Sequence, residues 1–229
     1  MENVQRTVNR RAFVIAGLGA AVSVKAAHAQ PATPAASPVA VQDAIYRVEL
    51  AASSLPAAPV AVGAAGVLMS AGTTIVYPDG SAGPSVGIDH ILSGGYEITT
   101  DSELIHLAAD GKRTEIAAGE TTTVATGETI VLLQNQAAQR IVAQDAETRT
   151  LAFGFFSLEQ GTNESDVEGS LEQEMLGGTV LRTLPQTGVV VTLAPGEDAA
   201  LSSESIVQLP ISLENGKQLM LVVQPLDDN

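Results

Sequence analysis

The chain has no cysteine, no tryptophan, three tyrosines and four phenylalanines among 229 residues, and 11 basic residues against 26 acidic ones. Each shortage excludes something. Without cysteine there is no disulfide framework, so the fold must rest on its core alone. So few aromatic faces count against a dedicated sugar-binding protein, whose sites stack rings against sugars. A net charge of −15 makes nucleic acid and anionic membrane poor partners. The acidic balance reads instead as a solubilising surface.

What is present begins at the N-terminus. Arg6, Arg10 and Arg11 precede a moderately apolar stretch, 12–24, and Ala27-His28-Ala29 offers small residues for cleavage before Gln30. That is the layout of an export signal. A bilayer-spanning helix needs about 20 apolar residues, more than this stretch holds, and no cysteine follows to carry a lipid. No stable membrane span is therefore expected after cleavage. Asn9-Arg10-Arg11-Ala12-Phe13-Val14-Ile15 resembles the twin-arginine class of signals. It matches at Arg10, Arg11 and Phe13 and departs at Asn9 and Ile15. The resemblance implies a bacterial protein that folds before export, to an extracellular, periplasmic or cell-envelope location. Cleavage after Ala29 removes four of the 11 basic residues (Arg6, Arg10, Arg11, Lys25) and one of the 26 acidic ones (Glu2). Seven and 25 remain, a net charge near −18.

The segment 30–43 is a Pro/Ala/Ser spacer without periodicity, expected to be disordered. From residue 44 to 229 short runs rich in Val, Ile, Thr and Leu alternate with Gly, Pro, Asp and Asn turns. Many short strands at such spacing predict an all-β sandwich or barrel. Strands are expected at 44–50, 66–70, 73–77, 95–99, 103–107, 113–116, 121–124, 129–134, 139–144, 150–156, 188–193, 206–212 and 218–224. Asp110-Gly111 and Asn215-Gly216 are two-residue hairpin signals. One helix is expected, over 164–175. Gly119-Glu120 and Gly196-Glu197 each lead through polar text to a strand. Two readings stay open: a second, partial β-module from about residue 178, or chance recurrence of turn-then-strand text.

The segment 119–134 reads GETTTVATGETIVLLQ. It resembles the second motif of the cupin superfamily, G-x5-P-x-G-x2-H-x3-N. Gly119 and Gly127 fall in register. Ala125 stands for the proline, Ile130 for the metal-binding histidine and Gln134 for the asparagine. Ile91-Leu92-Ser93-Gly94-Gly95-Tyr96 resembles the end of the first cupin motif. Counting back from Gly94, Ser81, Gly83 and Gly87 occupy the positions of its two histidines and glutamate. The resemblance implies a cupin-like jelly roll over roughly 66–156, with the metal ligands replaced. It also implies a pocket lined by Ile130, Leu132, Gln134, Ser81 and Tyr96. Strand alternation sets Ile130, Leu132 and Gln134 on one face and Val131 and Leu133 on the other.

Outside the export segment only His90 and His106 could supply imidazole ligands. Lone histidines do not make a metal site, so neither a metal nor another cofactor is expected, and no catalytic residue stands out. Leu184-Pro185-Gln186-Thr187-Gly188 matches a cell-wall sorting pattern but lacks the hydrophobic span and basic tail that follow a working one. No G-x-S-x-G occurs. Paired carboxylates such as Glu97 and Glu103 sit beside turns and read as solvated charges. The leading expectation is an exported, non-enzymatic module binding a small molecule or a protein. The alternative is a metal-dependent cupin enzyme with atypical ligands, His90 and His106 among them.

Overall fold

The computed structural model describes residues 46–144, 146–159, 161–162, 164–195, 205–213 and 216–226. The export segment 1–29 and the spacer 30–43 lie outside them. Among the described residues, sixteen strands form three antiparallel sheets. In chain order the first eight are β1 (Tyr46–Ala51), β2 (Val60–Met69), β3 (Thr74–Tyr77), β4 (Ser85–Ser93), β5 (Gly95–Thr100), β6 (Leu104–Leu107), β7 (Arg113–Ile116) and β8 (Thr121–Ala125). There follow β9 (Thr129–Leu132), β10 (Gln139–Ala143), β11 (Thr148–Ser157), β12 (Asp166–Glu168), β13 (Leu171–Leu181), β14 (Gly188–Pro195), β15 (Val207–Ser212) and β16 (Gln218–Pro225).

The expected all-β class is borne out, and the topology names the architecture. Take β2, β3, β4, β5, β8, β9, β10 and β11 as eight successive strands. The first pairs with the eighth, the second with the seventh, the third with the sixth and the fourth with the fifth. That is one long antiparallel hairpin rolled on itself. Rolling it lays the strands in two sheets, β2-β11-β4-β9 and β3-β10-β5-β8. This is the jelly roll. The β6–β7 hairpin extends the first sheet beyond β9, and β13 extends it beyond β2; β12 extends the second beyond β3. The third sheet, β1-β14-β16-β15, joins the first strand of the described chain to its last three.

The seven-stranded sheet lies in the middle, apolar on both faces. Val60, Val62, Val86, Ile88, Leu151 and Phe155 pack on one side against Val48, Leu50, Val191, Leu193 and Val223 of the four-stranded sheet. Ile91, Leu104, Ile130 and Leu132 pack on the other side against Ile75, Tyr96, Ile98 and Ile141 of the five-stranded sheet. Burial on both faces explains why β2, β4, β9 and β11 read as near-continuous apolar runs and not as alternating ones. At Asp110-Gly111 the expected hairpin turn joins β6 to β7, with the Lys112 amide donating to Asp110 Oδ1 at 2.9 Å. Gly216 turns between β15 and β16 with φ of 76°; Asn215 lies outside the described residues.

Two expectations are corrected. The helix at 164–175 is instead β12 and the first half of β13. Leu171-Glu172-Gln173-Glu174 is built of residues with high helix propensity. That preference is worth only tenths of a kcal/mol per residue, and pairing along the whole of β2 overrides it. Leu171 and Gln173 are half-buried while Glu172 and Glu174 are exposed, the period of a strand. The strand expected over 129–134 ends at Leu132, and residues 133–136 form a turn. Gln134 therefore does not share the face of Ile130 and Leu132.

Candidate functional site

Between the two sheets of the jelly roll lies a cavity of about 260 Å³. The middle sheet supplies Val67 and Met69 from β2, Gly87 and Asp89 from β4, Leu132 from β9 and Thr150 and Ala152 from β11. The five-stranded sheet supplies Ile75 and Tyr77 from β3, Tyr96 from β5 and Gln139 and Ile141 from β10. Ala61, Phe153, Phe156, Ser157 and Gln173 also belong to the wall, with residues 81–83 and, after β11, Leu158, Glu159 and Gly161. The last two segments approach so closely that a Cβ on Gly83 would fall on the carbonyl oxygen of Glu159.

Most of this wall is apolar, with polar groups set at a few points. Tyr96 is buried, and its hydroxyl donates to Asp89 Oδ2 at 3.1 Å. Burial first, and the Asp89 charge second, push the Tyr96 hydroxyl well above the usual tyrosine pKa, so the phenol stays protonated and remains a donor to the carboxylate. Gln139 is also buried, and its Nε2 donates to the Asn135 carbonyl oxygen at 2.7 Å and to Asn135 Oδ1 at 3.1 Å. Asn135 Nδ2 in turn donates to Ser85 Oγ at 3.4 Å. The Asn135 amide fits against β4 because position 87 is glycine: a Cβ there would stand 3.1 Å from Asn135 Cγ.

The positions singled out in the sequence divide. Ser81, Tyr96 and Leu132 stand in the cavity wall, as do Gly83 and Gly87. Ile130 is fully buried and points to the same side of the sheet, but it is packed into the core beside the cavity and does not line it. Gln134 is exposed on the turn after β9, where its carbonyl accepts from the Ala137 amide. The next residue, Asn135, reaches the cavity in its place. Arg10, Arg11, Phe13, Ala27 and Ala29 lie outside the described residues.

The cupin resemblance implies a metal, and the residues present do not fit one. Ser81, Gly83, Gly87 and Ile130 stand at the four ligand positions. Among the described residues no three of His, Cys, Asp and Glu converge as a metal set. The two histidines cannot be gathered by a small adjustment. His90 stands opposite Thr129 in the β4–β9 ladder and His106 opposite Ile130 in the β6–β9 ladder. Neighbouring residues of β9 point to opposite faces, so the imidazoles lie on opposite sides of the sheet. His90 Nδ1 is 3.0 Å from Thr129 Oγ1, and burial lowers its pKa to about 4. His106 Nε2 is 3.0 Å from Glu128 Oε2. In this geometry His90 and His106 do not converge on one metal ion.

Asp89, Asn135 and Gln139 were missed in the sequence. For Asp89 a signal existed: a carboxylate inside Gly87-Ile88-Asp89-His90-Ile91-Leu92, an apolar run too short of turn residues to be a loop.

No family model matches the chain, and no curated protein is similar to it in sequence. Among solved structures, the chain is similar to a cupin protein from Bacteroides fragilis at 19% identity, with a TM-score of 0.21, over 55% of this chain and 86% of that one.

Proposed function

We propose that this protein is an exported binding module without a resident metal, taking a small molecule into the cavity of its jelly roll. The cavity is the observation that carries the reading. Binding sites are concave, mostly apolar and furnished with a few placed polar groups, and this one has that make-up in Asp89, Tyr96, Asn135 and Gln139. Its size suits a small guest: a dry cavity of about 150 Å³ holds benzene, so 260 Å³ takes roughly ten non-hydrogen atoms. The export layout of residues 1–29 supports a role outside the cytoplasm.

The test is a ligand-observed nuclear magnetic resonance screen of the mature protein against a mixed set of neutral, anionic and cationic molecules of that size. Some members should show saturation transfer. Their signals should vanish in Ala152→Phe, which fills the cavity from β11. A screen without a single responder, or responders indifferent to Ala152→Phe, would sink the proposal.

A further inference from the structure

We infer that the cavity selects a small organic cation, an ammonium on an apolar body; this rests on the binding reading above and adds the ligand's charge. Three independent features of the wall converge on it.

The first is the balance of charge. Asp89 and Glu159 belong to the wall, and among the described residues no lysine, arginine or histidine does. Asp89 is the inner of the two, half-buried on β4, while Glu159 is exposed just after the end of β11. A carboxylate held in a mostly apolar hollow is costly unless a cation or donors meet it. An anionic guest would repel the Asp89 carboxylate, and a neutral guest without a donor would draw water from it and offer no hydrogen bond in return.

The second is the direction of the hydrogen bonds. The Tyr96 hydroxyl donates to Asp89, Gln139 Nε2 donates to Asn135, and Asn135 Nδ2 donates to Ser85. Three donors of the wall are thus committed within the protein. Once they are committed, the Tyr96 oxygen, Gln139 Oε1 and the Asp89 carboxylate can act toward a guest only as acceptors. The second N–H of Asn135 Nδ2 is a donor, and the hydroxyls of Tyr77, Ser81, Thr150 and Ser157 and the Gln173 amide can act either way. The acceptors fixed around Asp89 call for a donor on the guest, and an ammonium group carries up to three.

The third is the placement of the aromatic rings. Tyr77, Tyr96, Phe153 and Phe156, four of the seven aromatic residues of the whole chain, are in this wall. Ring faces attract cations through their quadrupole and pack well against an apolar body. In a chain so poor in aromatics, that concentration matches both halves of the guest.

The probes are benzylammonium, its neutral counterpart ethylbenzene, and benzoate, each titrated calorimetrically into the mature protein. Benzylammonium should bind at least about tenfold more tightly than ethylbenzene, the scale of one hydrogen bond to a charged group, and benzoate should not bind. Asp89→Asn keeps the shape and removes the charge. It should erase the preference, weakening benzylammonium about tenfold or more and leaving ethylbenzene within about twofold. Tyr96→Phe keeps the ring and leaves Asp89 one donor fewer, so benzylammonium should bind at least as tightly as before. Cooperative thermal unfolding of each variant establishes that it is folded. Ethylbenzene or benzoate binding more tightly than benzylammonium would overturn the charge assignment and leave the binding module standing. An unchanged preference in folded Asp89→Asn would do the same. If none of the three probes binds while the screen finds responders that Ala152→Phe abolishes, the charge assignment falls and the binding module stands.

Discussion

His90 makes the stability of this protein depend on acid in a calculable way. Its ring is buried against Thr129, 5% exposed, and its pKa in the fold is lowered to about 4, chiefly by loss of water around the charged form. In the unfolded chain a histidine takes its proton near pH 6.5. Between those two values the unfolded state binds a proton that the folded state refuses. Stability therefore falls as the pH falls through that window, and the fall ends near pH 4, where the folded state also accepts the proton. At pH 5 nearly all of the unfolded population is protonated at this site and about a tenth of the folded population is. The linked loss between pH 7 and pH 5 is about 2 kcal/mol. That is a sizeable part of the 5–15 kcal/mol that holds a typical domain together. His90→Asn puts a polar δ atom where Nδ1 stands, within reach of Thr129 Oγ1, and does not titrate. Urea unfolding followed by far-ultraviolet circular dichroism at pH 7 and pH 5 gives the two slopes. The parent protein should lose about 2 kcal/mol more than the variant over that interval, since the surface carboxylates are common to both. Equal losses would refute the buried, neutral imidazole.

Three further outcomes are expected. Replacing Arg10 and Arg11 together by lysine should leave the precursor in the cytoplasm, because a twin-arginine receptor reads the guanidinium pair; cell fractionation checks it, and the N-terminus of the exported protein should be Gln30. Ile130→Ala should cost roughly 2–5 kcal/mol in urea unfolding, Ile130 being fully enclosed by the core between the two jelly-roll sheets; a loss below about 0.5 kcal/mol would place it at the surface. Protein purified without chelator should hold iron, manganese, nickel and zinc far below one equivalent by elemental analysis, and its melting temperature should not move on adding EDTA, because Ser81, Gly83, Gly87 and Ile130 stand at the ligand positions of the resemblance.

How far the fold could be read depended on where the code is local. Strands such as 73–77, 113–116 and 218–224 are runs of β-formers closed by Gly, Asp or Pro, and those positions carry their own signal. Two elements did not. Gly87 and Asp89 interrupt the apolar run of β4, which is nonetheless a central strand because β11 and β9 hold both of its edges. Glu172, Gln173 and Glu174 prefer a helix, and only the facing length of β2 makes them a strand. In both cases the deciding partner lies far away in the chain, and no window of local text contains it.

The site shows the same limit at the scale of one residue. The cupin resemblance implied a pocket with Ser81, Tyr96 and Leu132 in its lining, and these three stand in the cavity wall. Spacing could not say that β9 stops at Leu132, and so it took Gln134 for a wall residue when Asn135 holds that place. His90 carries the imidazole, and its neighbour in the strand is Asp89. In an extended strand the two must face opposite ways. The alternation that buries His90 beside Thr129 is what turns Asp89 into the cavity, against the Tyr96 hydroxyl. The hollow between the sheets therefore carries a carboxylate on its inward face, and on the inference drawn above that carboxylate sets the charge of the guest.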